Sequence, residues 1–405
     1  MINIAILGYG IVGSGVACVI EKNKKEISKK AGDEIAIKYI LDIREFPGDP
    51  YENKIVNNIN QILDDPDVQI ICETMGGIRP AYEFTKRALL EGKSVCSSNK
   101  ELVASHAPEL LRIARENNCN YLFEASVGGG IPIIRPLNYS LTAEKIDRIV
   151  GILNGTTNFI LTKMEKEGAD FATVLKEAQE LGYAEKNPEA DVEGHDTCRK
   201  IAILSSLMTG QNVKYESIYT EGITKITAND FVYAYALDMT IKLLAISEYD
   251  IENNLNVCVA PFLIARDHPL YFVSDVYNGI FVHGNMLGDS MYYGRGAGKL
   301  PTASAVVSDV IDAARHIGKT ITCFWDDNAI KLNPMDEYRG SYFVRAKDTP
   351  ENIAKVQELF PDFVVVKQAV TGDYAFTCGP VAEKDFNEKI ALLPSGINSR
   401  IRICI

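Results

Sequence analysis

Residues 178–200, reading AQELGYAEKNPEADVEGHDTCRK, concentrate side chains able to hold and protonate a small polar molecule. Glu180, Glu185, Glu189, Asp191, Glu193 and Asp196 supply carboxylates, Glu177 lies just upstream, and Lys200 ends the run with an ammonium. The spacing predicts a helix over 170–181 stopped by Gly182, a residue type that accepts positive φ. An irregular segment with Pro188 follows, and a second helix is expected to start near Gly194. On that helix Asp196 and Lys200 stand four apart, so they share a face and can pair. Such a carboxylate keeps the ammonium charged and aims it at one point. Lys200 then enters IAILSSLMTG, an apolar helix ending near Gly210. A lysine at the mouth of a buried helix, facing carboxylates, fits a pocket for a cationic or zwitterionic small molecule. The same spacing also fits a solvated helix–loop–helix surface.

The elements that must position these groups start at the N terminus. INIAIL is a run of strand length, followed by Gly8-Tyr9-Gly10-Ile11-Val12-Gly13 and a helical stretch. Strand, GxGxxG, helix is the context of a Rossmann-type dinucleotide site. There Gly8 allows the tight turn, Gly10 the approach of a pyrophosphate, and Gly13 close helix–strand contact. A second strand ends near Asp42, with Arg44 just beyond. The acid suits the ribose hydroxyls of NAD and the arginine the 2′-phosphate of NADP, so NAD or NADP stays open. VQIICE (68–73) reads as a buried parallel strand with Thr74-Met75-Gly76-Gly77 at its carboxyl end, where open α/β sheets place ligands. Lys100 follows the strand SVCSS and Asn99. The next helix is expected over PELLRIARENN, and another over IRPLNYSLTAE.

Composition narrows the class. The 405 residues suffice for two or three domains, and 46% hydrophobic with 24% charged residues is ordinary for a globular chain. A net charge of −12 excludes nucleic acid as an expected partner, because phosphates would be repelled. No apolar run approaches the ~20 residues needed to span a membrane. MINIAILGYG lacks the basic region and cleavage site of a secretory leader. Nine scattered cysteines without a CxxC pair point to a reducing cytoplasm, and the five histidines show no metal-ligand spacing.

Ala178-x3-Gly182-Tyr183-Ala184, then Asn187-Pro188-x2-Asp191-Val192-x-Gly194-x-Asp196-x3-Lys200, resembles the signature of homoserine dehydrogenase. The resemblance covers about residues 1–320, and it implies a reversible NAD(P)-dependent reduction of aspartate 4-semialdehyde to homoserine, a step of threonine and methionine biosynthesis. It implies Lys200, Lys100 and Asp196 as catalytic residues, with Glu185 and Asp191 on the substrate amine. The NGT turn, Gly155 and Thr156, would take the substrate carboxylate. Gly8, Gly10, Ile11, Val12, Gly13, Arg44, Ser98, Lys100 and Gly298 would line the cofactor. Glu124, with the carbonyls of Val127, Gly129 and Ile131, would hold a monovalent cation such as sodium. Two ammonium groups brought together would each lower the pKa of the other, which suits proton transfer near neutral pH.

The expected architecture is α/β. A Rossmann-type domain over 1–130 plus 301–320 precedes an α+β substrate and dimerisation domain over 131–300. A separate ferredoxin-like unit over 335–405 shows the order βαββαβ and resembles a regulatory ACT domain. Asp348-Thr349-Pro350-Glu351-Asn352 lacks the glycine usual after D-x-P, which weakens an effector-binding role against a structural or dimerising one. The family resemblance implies a homodimer or higher homo-oligomer. Two other classes remain to be weighed: a cofactor-binding regulator without catalysis, and a dehydrogenase of another amino acid. Intact Lys100, Glu185, Asp191 and Lys200 argue against the first. The NGT turn together with the acidic loop argues for a zwitterionic four-carbon substrate.

Overall fold

The computed structural model describes residues 1–404, so Ile405, the end of the expected last strand, lies outside the described residues. The first 144 residues carry β1 (Ile2–Leu7), α1 (Ile11–Lys22), α2 (Lys24–Ala31), β2 (Ile35–Leu41), β3 (Ile55–Val56), α3 (Asn60–Leu63), β4 (Val68–Glu73), α4 (Ala81–Leu90), β5 (Ser94–Ser97), α5 (Lys100–Glu116) and β6 (Tyr121–Leu122). Then come β7 (Ile146–Ile152), α6 (Gly155–Glu167), α7 (Phe171–Glu180), α8 (Glu189–Val192), α9 (His195–Thr209), β8 (Tyr219–Thr220) and α10 (Ala228–Ala236). β9 (Met239–Tyr249), β10 (Leu255–Ala265), β11 (Tyr277–Gly284), β12 (Gly288–Arg295) and α11 (Lys299–Arg315) follow. The chain ends with β13 (Arg339–Lys347), α12 (Pro350–Leu359), β14 (Val364–Val366), β15 (Asp373–Ala382), α13 (Glu383–Ile390) and β16 (Ile397–Cys404).

One compact unit comprises residues 1–144, 202–214 and 294–330. Its sheet, in the order β3-β2-β1-β4-β5-β6, is parallel throughout. The order reverses between β1 and β4, where doubly wound folds open a ligand crevice. Thr74 ties that point together, its hydroxyl donating to the carbonyls of Leu7 (3.0 Å) and Gly8 (2.8 Å). Ile4, Ile6, Ile37, Ile70 and Cys72 form the core with Val16 and Ile20 of α1 and Val306 and Val310 of α11. α1 and α11 approach closely at Gly15, where a Cβ would lie 2.7 Å from the Lys299 carbonyl.

Two helix boundaries differ from expectation. α5 starts at Lys100, eight residues before Pro108, because the Asn99 side chain accepts from Leu102 N–H and caps it there. Of residues 134–144 only 134–140 are helical, ending in a π-helical turn, Pro136–Ser140.

The other unit comprises 145–201, 215–293 and 331–405. Its sheet runs β12-β11-β7-β9-β10-β16-β13-β15-β14, with β8 beside β10. Within it β16-β13-β15-β14, crossed by α12 and α13, has the strand order of a ferredoxin-like βαββαβ unit. Residues 335–405 are expected from sequence to stand apart, yet they cluster with this unit. The cause is a parallel pairing of β16 with β10, Phe262 to Arg402 and Ile264 to Cys404, which makes the sheet continuous. They keep a core of their own, in which Tyr342 stacks on Phe386 at 3.8 Å. The boundary expected at 130 also moves. Gly129 and Gly130 lie against Gly296 and Pro301 inside the first unit, and Asn212 bridges to Ala329 there.

Candidate active site

The glycine motif takes the form that a dinucleotide requires. Gly8 has φ +89°, and Gly10 stands at the N-cap of α1, where a Cβ would meet nothing within 4 Å. A Cβ on Gly13 would lie 1.9 Å from the Gly8 carbonyl oxygen, so only glycine lets α1 begin that close to the turn. Ile11 is exposed at the first turn of α1, and Val12 is partly buried. The open cradle beside a helix N terminus fits a pyrophosphate. Gly13→Ala is expected to abolish dinucleotide binding and to destabilise the unit by about 1–3 kcal/mol. Gly10→Ala should keep the wild-type Tm and lose only affinity. Thermal melts with a cofactor titration check both.

At the end of β2, Asp42 accepts from the Tyr9 N–H (2.8 Å) and pairs with both Nε and Nη2 of Arg44 (2.9 and 2.8 Å). The Arg44 hydrogen bonds hold the Asp42 carboxyl well below the usual carboxylate range. Arg44 itself is exposed and lies 5.1 Å over the Phe46 ring. At the ends of β4 and β5 a buried carboxylate, Glu73, accepts from Met75 N–H (2.9 Å) and from the Ser97 hydroxyl (2.6 Å). The Ser97 oxygen in turn accepts from Asn99 N–H (3.1 Å), and Ser98 N–H donates to the Glu73 carbonyl (3.0 Å). Burial pushes the Glu73 carboxyl up to about 7. Glu73 therefore ties the turn after β4 to the turn after β5, which presents Ser98 and Lys100. It is absent from the residues expected at the site, although an acid closing an apolar strand is a visible signal.

The second glycine-rich crossing places Gly298 (φ +124°) at the N-cap of α11, the helix packed on α1. The resemblance implies a cation set that begins at Glu124, just after β6. Both Glu124 carboxylate oxygens accept backbone N–H groups, from Ile133 (2.6 Å), Ile134 (3.0 Å) and Arg135 (2.7 Å). Burial still raises the Glu124 pKa against those bonds. Glu124 thus anchors the segment after the glycines. The carbonyls of Val127, Gly129 and Ile131 are the hard oxygen donors that suit a monovalent cation.

In the second unit the expected helix pair forms, and Lys200 Nζ donates to Asp196 Oδ2 at 2.6 Å. It also donates to the Leu153 carbonyl at 2.7 Å. Lys200 is 9% exposed and Asp196 5%, so the pair is charge-assisted and largely out of water. Asp196 Oδ2 also accepts from Asn154 Nδ2 (2.9 Å), which donates to Asp191 Oδ1 at 2.7 Å as well. Gly155 and Thr156 open α6 next to these groups, and a Cβ on Gly155 would lie 2.8 Å from the Val276 carbonyl. The Thr156 hydroxyl donates to the Tyr183 carbonyl (2.6 Å), which ties the NGT turn to the acidic loop.

The acids do not act as one lining. Asp191 and Asp196 gather at Asn154, whereas Glu185 is exposed and its carbonyl accepts from Gln179 Nε2 (3.0 Å). Glu177 pairs with Lys163, Glu180 with Lys176, and Glu193 accepts from the Thr224 hydroxyl. The Leu153 carbonyl and the Asn154 amide are site groups that only the structure reveals. A backbone oxygen leaves no mark in sequence, and an asparagine before a helix is equally explained by capping.

Two family models match the chain: "Homoserine dehydrogenase, NAD binding domain" over residues 8–124 and "Homoserine dehydrogenase" over 132–311. A homoserine dehydrogenase of Bacillus subtilis is 38% identical over 369 residues, 89% of this chain and 85% of that protein. One from Synechocystis sp. is 45% identical over 320 residues, 77% of this chain and 73% of that protein. The crystal structure of a homoserine dehydrogenase from Thiobacillus denitrificans aligns with a TM-score of 0.90 at 34% identity, covering 100% of this chain and 98% of that one. A hyperthermophilic archaeal homoserine dehydrogenase in complex with NADPH aligns at 0.65 with 29% identity, covering 77% of this chain and 97% of that one. A glycine turn shaped for a dinucleotide, a buried Lys200–Asp196 pair and these matches agree: the chain belongs to the homoserine dehydrogenase family.

Proposed function

We propose that Lys200 holds and moves the proton on the substrate oxygen in the reversible NAD(P)-dependent interconversion of L-homoserine and L-aspartate 4-semialdehyde. The observation that carries this role is the fixing of its ammonium by Asp196 and the Leu153 carbonyl. An ammonium has three N–H donors, so two bonds to protein leave the third for the substrate oxygen. The bound nicotinamide supplies or accepts the hydride. As the aldehyde is reduced, negative charge grows on its oxygen, and a positioned ammonium both stabilises it and donates the proton. In the reverse direction the neutral amine takes the proton back. The family resemblance assigns Lys100 as the second ammonium at that oxygen. Asp191 and Glu185 are assigned to the substrate amine, and the backbone N–H groups of Gly155 and Thr156 to its carboxylate.

The cofactor is NAD or NADP. Asp42, fixed by Tyr9 N–H, suits a ribose hydroxyl, and exposed Arg44 suits a 2′-phosphate. Arg44→Ala is expected to raise KM for NADP about tenfold or more and to change that for NAD little. Asp42→Ala should penalise NAD in the same assay. Glu124 with the carbonyls of Val127, Gly129 and Ile131 is assigned a sodium ion by the family resemblance. A cytoplasmic homodimer, or a higher homo-oligomer, is the proposed state; all nine cysteines are free thiols, in keeping with a reducing compartment. No helix among the described residues is long and apolar enough to cross a membrane.

The test is an assay of reduced nicotinamide by near-ultraviolet absorbance, with homoserine and each cofactor, with and without threonine. Homoserine-dependent reduction is expected, and none with either cofactor would sink the assignment. Inhibition by threonine would give the ferredoxin-like segment an effector role.

A further inference from the structure

Asn154 is 6% exposed, and its side-chain amide is committed at both ends. Oδ1 accepts from Thr157 N–H at 2.9 Å and so caps α6. Only the oxygen can do that, which fixes the orientation of the amide. Nδ2 is thereby turned to the acids, with Asp191 Oδ1 at 2.7 Å and Asp196 Oδ2 at 2.9 Å. Asp191 sits on α8 and Asp196 on α9, so one amide joins two short-range neighbours that would otherwise repel each other. The same Asp196 oxygen carries Lys200, and the residue before Asn154 supplies the carbonyl that holds Lys200 from the other side.

We infer that Asn154 is a positioning residue for this reaction: its two Nδ2 hydrogens set Asp191 on the substrate amine and Asp196 beneath Lys200, so one side chain aligns both ends of the substrate. The inference rests on the roles proposed above for Asp191 and Lys200. Capping α6 is a separate task that serine and aspartate also perform well, whereas neither offers the amide's pair of donors. Asn154→Asp and Asn154→Ser therefore keep the helix start and remove the alignment. The aspartate version places a third carboxyl against Asp191 and Asp196, beside the Lys200 ammonium that pairs with Asp196.

Steady-state kinetics of both variants beside the wild type and Lys200→Ala make the test, on protein whose melt and cofactor affinity are measured first. At neutral pH, Asn154→Asp should lower kcat about 100-fold, as a displaced catalytic group does, and raise KM for homoserine about tenfold. KM for the cofactor should stay within about twofold. Its activity should recover as the pH falls, because the protonated carboxyl regains one donor; Asn154→Ser should show the loss without that recovery. A helix cap alone would move the melt and leave the pH profile and the split between kcat and KM untouched. Should the aspartate version not fold, the smaller neutral serine version carries the test. Wild-type kcat and KM in the folded variants, with Lys200→Ala inactive, overturn the inference and leave the proposed function standing. An active Lys200→Ala sinks the proposed role first, and the inference with it.

Discussion

Lys200→Ala lowers kcat by about three orders of magnitude while KM for homoserine moves by less than about tenfold. Two losses combine. The proton donor disappears, and the charge growing on the substrate oxygen loses its counterion in a site where neighbours are dry. The variant also leaves Asp196, 5% exposed, without the ammonium 2.6 Å away. Removing one partner of a buried pair destabilises by roughly 3–5 kcal/mol, so the melt must be followed beside the rate. Lys200→Met separates the two effects, since it refills the volume without the charge. A folded Lys200→Met enzyme with near-normal turnover would refute the proton-transfer role outright. If kcat falls while the substrate and cofactor affinities hold, the loss lies in the transition state.

Arg402→Met is expected to be the most damaging single change for stability. Arg402 is 2% exposed on β16 and donates from Nε to Glu383 Oε2 (2.9 Å), from Nη2 to Glu383 Oε1 (2.5 Å), and from Nη1 to Glu221 Oε2 (2.7 Å). Its guanidinium also lies 5.0 Å over the Tyr219 ring. Burial pushes the carboxyls of Glu383 and Glu221 up, but the hydrogen bonds and charge of Arg402 outweigh it, and both end below their ordinary range. Taking away Arg402 leaves the two carboxylates to Arg400, 2.8 Å from Glu383 and 3.7 Å from Glu221, and costs up to about 3–5 kcal/mol, or a Tm lower by up to about 10 °C. The pH dependence has a definite sign. A carboxyl depressed in the folded state contributes stability above its unfolded pKa of about 4.3 and loses it as pH falls through the lower folded value. The advantage of the wild type over Arg402→Met is therefore full at neutral pH and shrinks in acid. Equal melts for the two proteins at neutral pH would show that the cluster contributes nothing. Changing Arg402, Arg400, Glu383 and Glu221 together to apolar residues should cost far less than the single change, because no charge of the cluster is then stranded.

The local part of this protein is readable because it is written in short-range rules. GxGxxG after an apolar strand needs only the steric demand of the turn, and Gly13, where a Cβ would stand 1.9 Å from a carbonyl oxygen, shows that demand. Asp196 and Lys200 meet because four residues make one helical turn. The βαββαβ order at the C terminus follows from alternating patterns and helix caps such as Thr349. Expectation and structure part where a long-range partner decides. Proline favours first turns, which points to a start of α5 at Pro108, whereas Asn99, held by Gly77 and Ser97, starts it earlier. The family resemblance implies Glu124 at a cation site, and only folding shows that three N–H groups from residues 133–135 reach its carboxylate.

From sequence alone came the family, the chemistry and the acid–lysine helix, since these depend on residue type and on neighbours within a turn or two. Folding alone decided which acids of the loop come together. Asn154 and Leu153, more than forty residues from Lys200, select Asp191 and Asp196 and hold the ammonium. Folding also decided that β16 would join β10 and extend a sheet instead of closing a separate domain. A hydrogen bond between distant segments is made or not according to where packing brings the backbone, and composition carries no record of that distance.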